Sequence, residues 1–394
     1  MISVESARQL LTKHIPDLPS ETIALEKALG RVVASSVKAS IDLPSFDMSA
    51  MDGYALAAPL DGLSYQLVGE IKAGDAHHPT LQPGEAVRIF TGAAVPASCV
   101  AVEMQEKVSV NNEKLTLETS VEAGRFIRKK GGQVRQGQTI FESGYVLNPA
   151  AIGLLANMGI DQVEVVHKPA IHLIATGNEL VPPGKPLQRG QLYESNLVTL
   201  QTALQGNGFY AEKAVLLPDD YNIILQAFEQ ALAQADLLIV SGGISVGDYD
   251  FTAKALKELG VTALFHGVAQ KPGKPLFVGQ KGKKLIFGLP GNPASALVCY
   301  YLYLLPALHQ MTLCAPHGLK LGEAPTSEEI KGIHNKTQFL RGSFDGERLY
   351  VATGQESHML LSFAKANVLV EIPPTSGMIP KGTHLKYYLL PTTN

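Results

Sequence analysis

Charge is sparse in this 394-residue chain: Asp, Glu, Lys and Arg make up 18% of it, against about 25% in an ordinary globular domain. Together with 45% apolar residues, that excludes a disordered chain and implies a large buried core. No excess of one sign exists either. The 33 basic and 36 acidic residues leave a net charge of −3, so there is no electrostatic case for general nucleic-acid binding, and any anion-binding surface must be local. Cysteine is scarce. Cys99, Cys299 and Cys314 are an odd, scattered set without a C-x-x-C pair, which argues against a disulfide framework or a thiolate zinc site and fits reduced thiols in the cytoplasm. A clear membrane span is also lacking. Glu5, Arg8 and Lys13 interrupt the N-terminus, so no signal peptide is expected. The charge-free stretch from Gly288 to Leu319 includes SALVCYYLYLLPALHQM, but Pro306, His309 and Gln310 fall inside it. A buried core helix is expected there, not a membrane span.

What is present changes grammar along the chain. Residues 3–14 read as a short amphipathic helix with Ser3 as N-cap. Residues 22–48 mix a short strand, a helical turn and a Pro-containing connector. From Tyr65 to about Val146, period-two alternation and many glycines indicate a β-rich unit, with VSVNNEKLTL predicted to form a hairpin through Asn111-Asn112. Asn148-Pro149 predicts a capped helix to about Met158. That helix is expected to pack with the N-terminal one, making the β-rich unit an insertion.

From about Lys168, the apolar runs AIHLIA, DLLIVSGG and KKLIFGLPG alternate with the helical patterns NLVTLQTALQ, YNIILQAFEQALAQA, AKALKELG and PASALVCYYLYLL. This predicts an α/β layer with a largely parallel sheet. After about Gly318, short strands with turns, such as RGSFDGERLYV through Asp345-Gly346, predict a small β-barrel. The expected fold is multidomain α/β plus β: a doubly wound α/β domain (168–316), an extended N-terminal domain (1–50 and 147–167, with part of 22–48 assignable to the insertion), an inserted β-rich domain (51–146) and a C-terminal β-barrel domain (317–394).

Ligands of open α/β sheets sit at the carboxyl ends of the strands. Three strands end in loops suited to an anion: ATGNEL (175–180), SGGISVGDYD (241–250) and GLPGNPAS (288–295). Glycines allow close backbone approach, and the following helices present free amides. Asn292-Pro293 reads as an N-cap and first helical position, which puts Ser295 in the first turn. Taken singly, each loop is no more than a tight connection; three on one sheet, with KPGKP between two of them, point to a site. Lys271 and Lys274 in KPGKP read either as solvated surface lysines or as a cation pair facing an oxyanion. Glu179, Asp219, Asp248 and Asp250 suggest a hard cation, magnesium first. Asp219 and Asp250 also precede helical patterns and have a second reading as helix caps, a role that can coexist with a metal role. His266 reads as structural.

The segments PSFDMSAMDGYAL (44–56), RIFTGAAVP (88–96), SGGISVGDYDFT, KPGKP, GLPGNPASA and QESHML (355–360) together resemble the molybdopterin molybdenumtransferase, or MoeA, family, related to the E domain of gephyrin. The resemblance runs over nearly the whole chain, in the family's order and spacing. It implies a homodimer of elongated four-domain subunits, with the cleft between the α/β domain of one subunit and the β-rich domain of its partner. It further implies insertion of molybdate into adenylylated molybdopterin with release of AMP and a divalent cation, Mg2+, as cofactor. Other molybdenum-cofactor biosynthesis proteins would be further partners. By motif match, Asp52 and Thr91 would lie on the partner side of the cleft, and Glu179, Asp219 and Asp250 would be the acidic groups, with Asp250 and Glu179 on the metal. Ser245, Lys271, Lys274, Pro275, Ser295, Arg341 and Ser357 would surround the oxyanion.

One position departs from the family pattern: in RKKGGQVRQG, Gln133 stands where an Asp is usual, keeping hydrogen-bonding capacity without charge. Two other functions stay open, a molybdopterin adenylyltransferase-like enzyme and a non-catalytic scaffold or anion-sensing homologue. Retention of Asp52, Asp250 and both KPGKP lysines speaks for the enzyme.

Overall fold

The computed structural model describes residues 1–60, 62–76, 79–244 and 251–391. Its centre is a six-stranded sheet in the spatial order Ala211–Leu217, Ile171–Thr176, Leu237–Ser241, Lys284–Leu289, Phe277–Lys281, Thr262–His266. The first four strands pair in parallel and the last two join antiparallel. The alternation of side chains explains why these apolar runs became central strands. Leu173, Leu237, Ile239, Leu285 and Phe287 point into one core with the helices Asn196–Gly206 and Pro293–Cys299. Their neighbours Ile174, Leu238, Val240 and Ile286 point into a second core with the helices Tyr221–Gln234 and Phe251–Glu258. Both faces are covered, so the runs are apolar throughout.

The charge-free stretch is a continuous helical rod: Pro293–Cys299, a π turn at Tyr300–Leu304, then Leu305–Met311. The π turn leads into Pro306, which has no N–H for the ladder. The rod is packed almost wholly inside the first core, and among the described residues no helix is long and apolar enough to cross a membrane.

A second six-stranded sheet, ordered Cys99–Met104, Gly53–Ala57, Glu85–Ile89, Ser64–Ile71, Lys114–Leu117, Val108–Asn111, forms the β-rich region. Its last hairpin turns at Asn112 and Glu113, both with positive φ, one residue later than Asn111-Asn112. Strand Ser20–Ala24 pairs with Gln162–Val166, and the helix Pro149–Asn157, capped by Asn148, packs over them with Leu25, Val33 and Phe141.

The N-terminal helix Val4–His14, capped by Ser3, goes elsewhere, which corrects the expected pairing of the two helices. Its Val4, Ala7 and Leu11 sit in the α/β core beside Phe265 and Val268. Both helices expose an apolar face, and sequence alone does not say which core each face meets. From 321 on, the C-terminal strands form a third sheet, Thr337–Phe344 beside Val368–Ile372, His384–Leu389 and Leu321–Pro325, with Leu349–Val351 on the same long strand.

The cap expected at Asp219 falls one residue later. Asp220 accepts from the N–H groups of Asn222 and Ile223 at 2.9 and 3.0 Å, leaving Asp219 for other work. Asp220→Ala should therefore lower stability by ~1 kcal/mol, measured by urea denaturation followed by helical circular dichroism, while Asp219→Ala shifts the midpoint less. The reverse order would return the cap to Asp219.

Candidate active site: an anion cleft at the strand ends

The carboxyl ends of the central strands open into one cleft of about 1460 Å³, larger than the 300–1,000 Å³ or so of an ordinary small-molecule pocket. The three glycine-containing loops meet there: Thr176 to Leu180, Ser241 to Ile244, and Pro290 to Pro293 with Ser295 line it, with the KPGKP turn between them. Glu179, Asp219, Lys271, Lys274, Pro275, Ser295 and Ser357 are thus brought together. Ser245 and Asp250, with Asp248, lie outside the described residues.

The first two loops are locked to each other. Asp219 accepts from the Asn178 backbone N–H at 3.2 Å, and Asp219 N–H donates to Asn178 Oδ1 at 3.0 Å. This reciprocal bond ties the ends of two neighbouring strands and holds Glu179 and Asp219 on the same rim, both exposed. No group of three His, Cys, Asp or Glu among the described residues could hold a metal. Two exposed carboxylates nevertheless fit magnesium, which keeps several waters and takes one or two carboxylates plus substrate phosphates.

The third loop carries Asn292 at the N-cap, as its sequence suggests, but its side chain does not cap. Asn292 Nδ2 donates instead to Ser357 Oγ at 2.8 Å, joining the α/β unit to the C-terminal one across the cleft. Ser295 is buried in the first turn behind it.

Arg341 is where the structure departs from expectation. It is fully buried and lies under the cleft wall, not in it. Its guanidinium donates to the carbonyls of Gly354 and Glu356 at 2.8 and 3.1 Å and to Ser362 Oγ at 3.2 Å. The chain folds Gln355 back onto Arg341 as well, Gln355 Nε2 donating to the Arg341 carbonyl at 2.8 Å. Arg341 therefore shapes the QESHML loop that presents Ser357, and burial holds its pKa down.

Asp52 and Thr91 form a separate pair. Asp52 Oδ1 accepts from the Thr91 N–H and hydroxyl, each at 2.7 Å, and these two bonds hold the carboxyl below its usual range. Gly53 explains the run around them, because a Cβ there would stand 1.9 Å from the Glu103 carbonyl oxygen. Neither Asp52 nor Thr91 lines the cleft of its own chain. Gln133 is exposed, its backbone N–H donating to the Leu43 carbonyl at 2.9 Å. His266 is held by the Ile244 carbonyl at 3.1 Å and stacks edge-on against Phe277, in line with a structural role.

The cleft also contains residues not expected from sequence. Glu194 lines it, buried, accepting from the Leu197 N–H at 2.9 Å, and burial pushes its carboxyl up against the pull of the helix amides. Asn196 donates to Ser241 Oγ and to the Gly291 carbonyl, each at 2.8 Å, stitching two loops. Lys336 adds a third cation. The run YESN just before a helical pattern was the signal for the first two.

Fold and site define a multidomain α/β protein that presents a large cleft, lined by both cations and carboxylates, at the ends of a doubly wound sheet. Known proteins agree domain by domain. The MoeA N-terminal region (domain I and II) matches residues 2–159, a probable molybdopterin binding domain residues 172–310, and the MoeA C-terminal region (domain IV) residues 323–390. The molybdopterin molybdenumtransferase of Haemophilus influenzae is 34% identical, with 97% of both chains covered. That of Synechocystis sp. is 36% identical over 79% of this chain and 83% of its own. Two crystal structures of a MoeA molybdopterin biosynthesis protein from Pyrococcus horikoshii superpose with TM-scores of 0.86 and 0.82, at 30% and 26% identity, covering 99% of this chain and 99% and 100% of theirs. The chain belongs to the molybdopterin molybdenumtransferase family.

The Asp52–Thr91 pair makes a pH-dependent contribution of known sign. A lowered folded-state carboxyl stabilises the fold above the ordinary aspartate range of about 3.9, and that contribution is lost as the pH falls through the folded value. In Thr91→Val, which removes the hydroxyl donor, the Asp52 carboxyl followed by carbon-13 NMR should titrate closer to the ordinary range. An unmoved titration would mean that the backbone N–H alone sets it.

Proposed function

We propose that this enzyme inserts molybdate into adenylylated molybdopterin with release of AMP, as a homodimer in the cytoplasm and with magnesium as its cation. The chain is a transferase of molybdenum cofactor biosynthesis. The observation that supports the specific reaction is the convergence of three strand-end loops and the KPGKP lysines on one cleft, in a chain of this family. Molybdate is a tetrahedral dianion, and the activated pterin carries phosphates. Bringing them together needs local positive potential in a chain with none overall. Lys271, Lys274 and Lys336 are the cleft's cations, and the helix that starts at Pro293 adds free amides.

Glu179 would hold magnesium, with Asp219 on the same rim and Asp250 a further ligand by motif match alone. Bound there, the ion would supply charge neutralisation and polarisation of the phosphoanhydride. The chain's own contribution is placement: the Asn178–Asp219 lock fixes the carboxylate rim, and the Asn292–Ser357 bond fixes the opposite wall. Catalysis by positioning and electrostatics needs no protein nucleophile.

Asp52 and Thr91, rigidly paired yet absent from the cleft of their own chain, support a site completed by a second subunit. Purified protein given adenylylated molybdopterin, molybdate and magnesium should release AMP, and absence of release would leave a scaffold. Mixing Asp52→Ala with Asp219→Ala subunits should restore part of the activity that each lacks, through one intact site per mixed dimer. A monomer active at assay concentration would sink the two-subunit site. Replacing Lys271 or Lys274 by Ala removes a charged donor, and calorimetric titration should show molybdate affinity falling ~10- to 100-fold.

A further inference from the structure

Lys271 and Lys274 are exposed, and among the described residues neither is held by an ion pair. Their spacing therefore depends on the backbone of the turn that carries them. That turn is gripped from behind. Gln270 is 1% exposed; its Nε2 donates to the Pro272 carbonyl at 3.0 Å and reaches the Gly273 carbonyl at 3.5 Å. Its Oε1 accepts from the hydroxyl of Tyr303, which is fully buried in the π turn of the apolar rod.

Cys299, also on the rod, joins the grip beside Gln270, its Sγ 3.7 Å from the Gly273 carbonyl and 3.8 Å from Gln270 Nε2. Gly273 has φ +90°, and a Cβ there would stand 2.6 Å from both Cys299 Sγ and Gln270 Nε2. The backbone of the turn is thus seated directly on these two side chains. On its other flank, Gln270 and Lys271 pair in parallel with Thr337 and Gln338 of the C-terminal sheet.

The chemistry of the grip suits an anion site. An amide can donate to carbonyls and accept from a phenol while carrying no charge. A carboxylate in its place would offer the carbonyls no donor and would cancel lysine charge. Burial pushes the Tyr303 phenol further above its ordinary range, so it stays a donor, which fixes the orientation of the Gln270 amide. We propose that Gln270 and Tyr303 are positioning residues for oxyanion binding, acting as one unit that sets the backbone carrying Lys271 and Lys274. The proposal rests on the reading of those lysines as oxyanion ligands.

The test titrates full-length protein with sodium molybdate by calorimetry and records a melting curve for each variant. The set is wild type, K271A/K274A, Y303F, Q270M and Y303F/Q270M. Loss of the polar grip at retained volume should weaken molybdate binding roughly three- to tenfold in each single variant. The double variant should lose no more than Q270M alone, because the two residues share one device. Should Q270M melt below the assay temperature, Y303F decides, since it deletes a single oxygen. A lowered melting point with unchanged affinity would make the pair a packing feature and overturn the proposal, while weak binding by K271A/K274A in the same series would leave the lysine reading standing. Unchanged binding by K271A/K274A, or no molybdate uptake by the wild type, would overturn both.

Discussion

The cleft depends on how the C-terminal sheet is fastened to the α/β unit. Gln270–Lys271 belongs by sequence to the α/β region but by hydrogen bonding to the C-terminal sheet, where it runs parallel to Thr337–Phe344. The Thr337 N–H donates to the Ala269 carbonyl at 3.0 Å just before it. One short ladder thus sets the turn bearing two lysines and the start of the strand that continues to Arg341. Across the cleft, the Asn292–Ser357 bond closes the same joint. Any rotation of the C-terminal sheet would change the lysine positions and the Ser357 wall together.

Charge is used sparingly around this joint. Most ion pairs lie at exposed or half-exposed positions elsewhere, such as Lys129 with Asp47 and Lys72 with Glu70, where each contributes little to stability. Among the described residues, the cleft lysines have no such partner. The turn beneath them is shaped by neutral groups, an amide, a phenol and a thiol, so the turn itself adds no negative charge beside the lysines. Fixing a charged site with uncharged contacts is a way to keep its field.

Buried polar groups mark the places where loop shape matters most. Arg341 is an expensive residue to bury, and a guanidinium without hydrogen bonds would not be tolerated. It survives by donating to two carbonyls and a hydroxyl within the 354–362 segment. Arg8 does comparable work at another joint, stacked over Phe339 and Tyr388 and 3.6 Å from Glu371. There it binds the N-terminal helix to the C-terminal sheet. Arg8 thereby braces distant parts of the chain, whereas Arg341 braces a loop within the C-terminal region.

Much of the layout was legible in the residue order, because it arises from local physics. Apolar runs such as DLLIVSGG and KKLIFGLPG could only be doubly buried strands, and Ser3, Asn148 and Asn292 sit where helix starts need them. The cleft loops were readable for the same reason, since a parallel sheet puts its ligand at strand ends. The edge strands Ala211–Leu217 and Thr262–His266 carry weaker alternation and were not legible as strands. What only the tertiary structure decided was which buried surfaces meet: the N-terminal helix on the α/β core, Asp220 rather than Asp219 as the cap, Arg341 beneath the wall, Asn292 turned from its helix toward Ser357, and Gln270 under the lysines. Apart from the cap, which is set by bonds two and three residues away, those choices turn on contacts between residues well separated in the chain, and period and composition specify a face without specifying its partner.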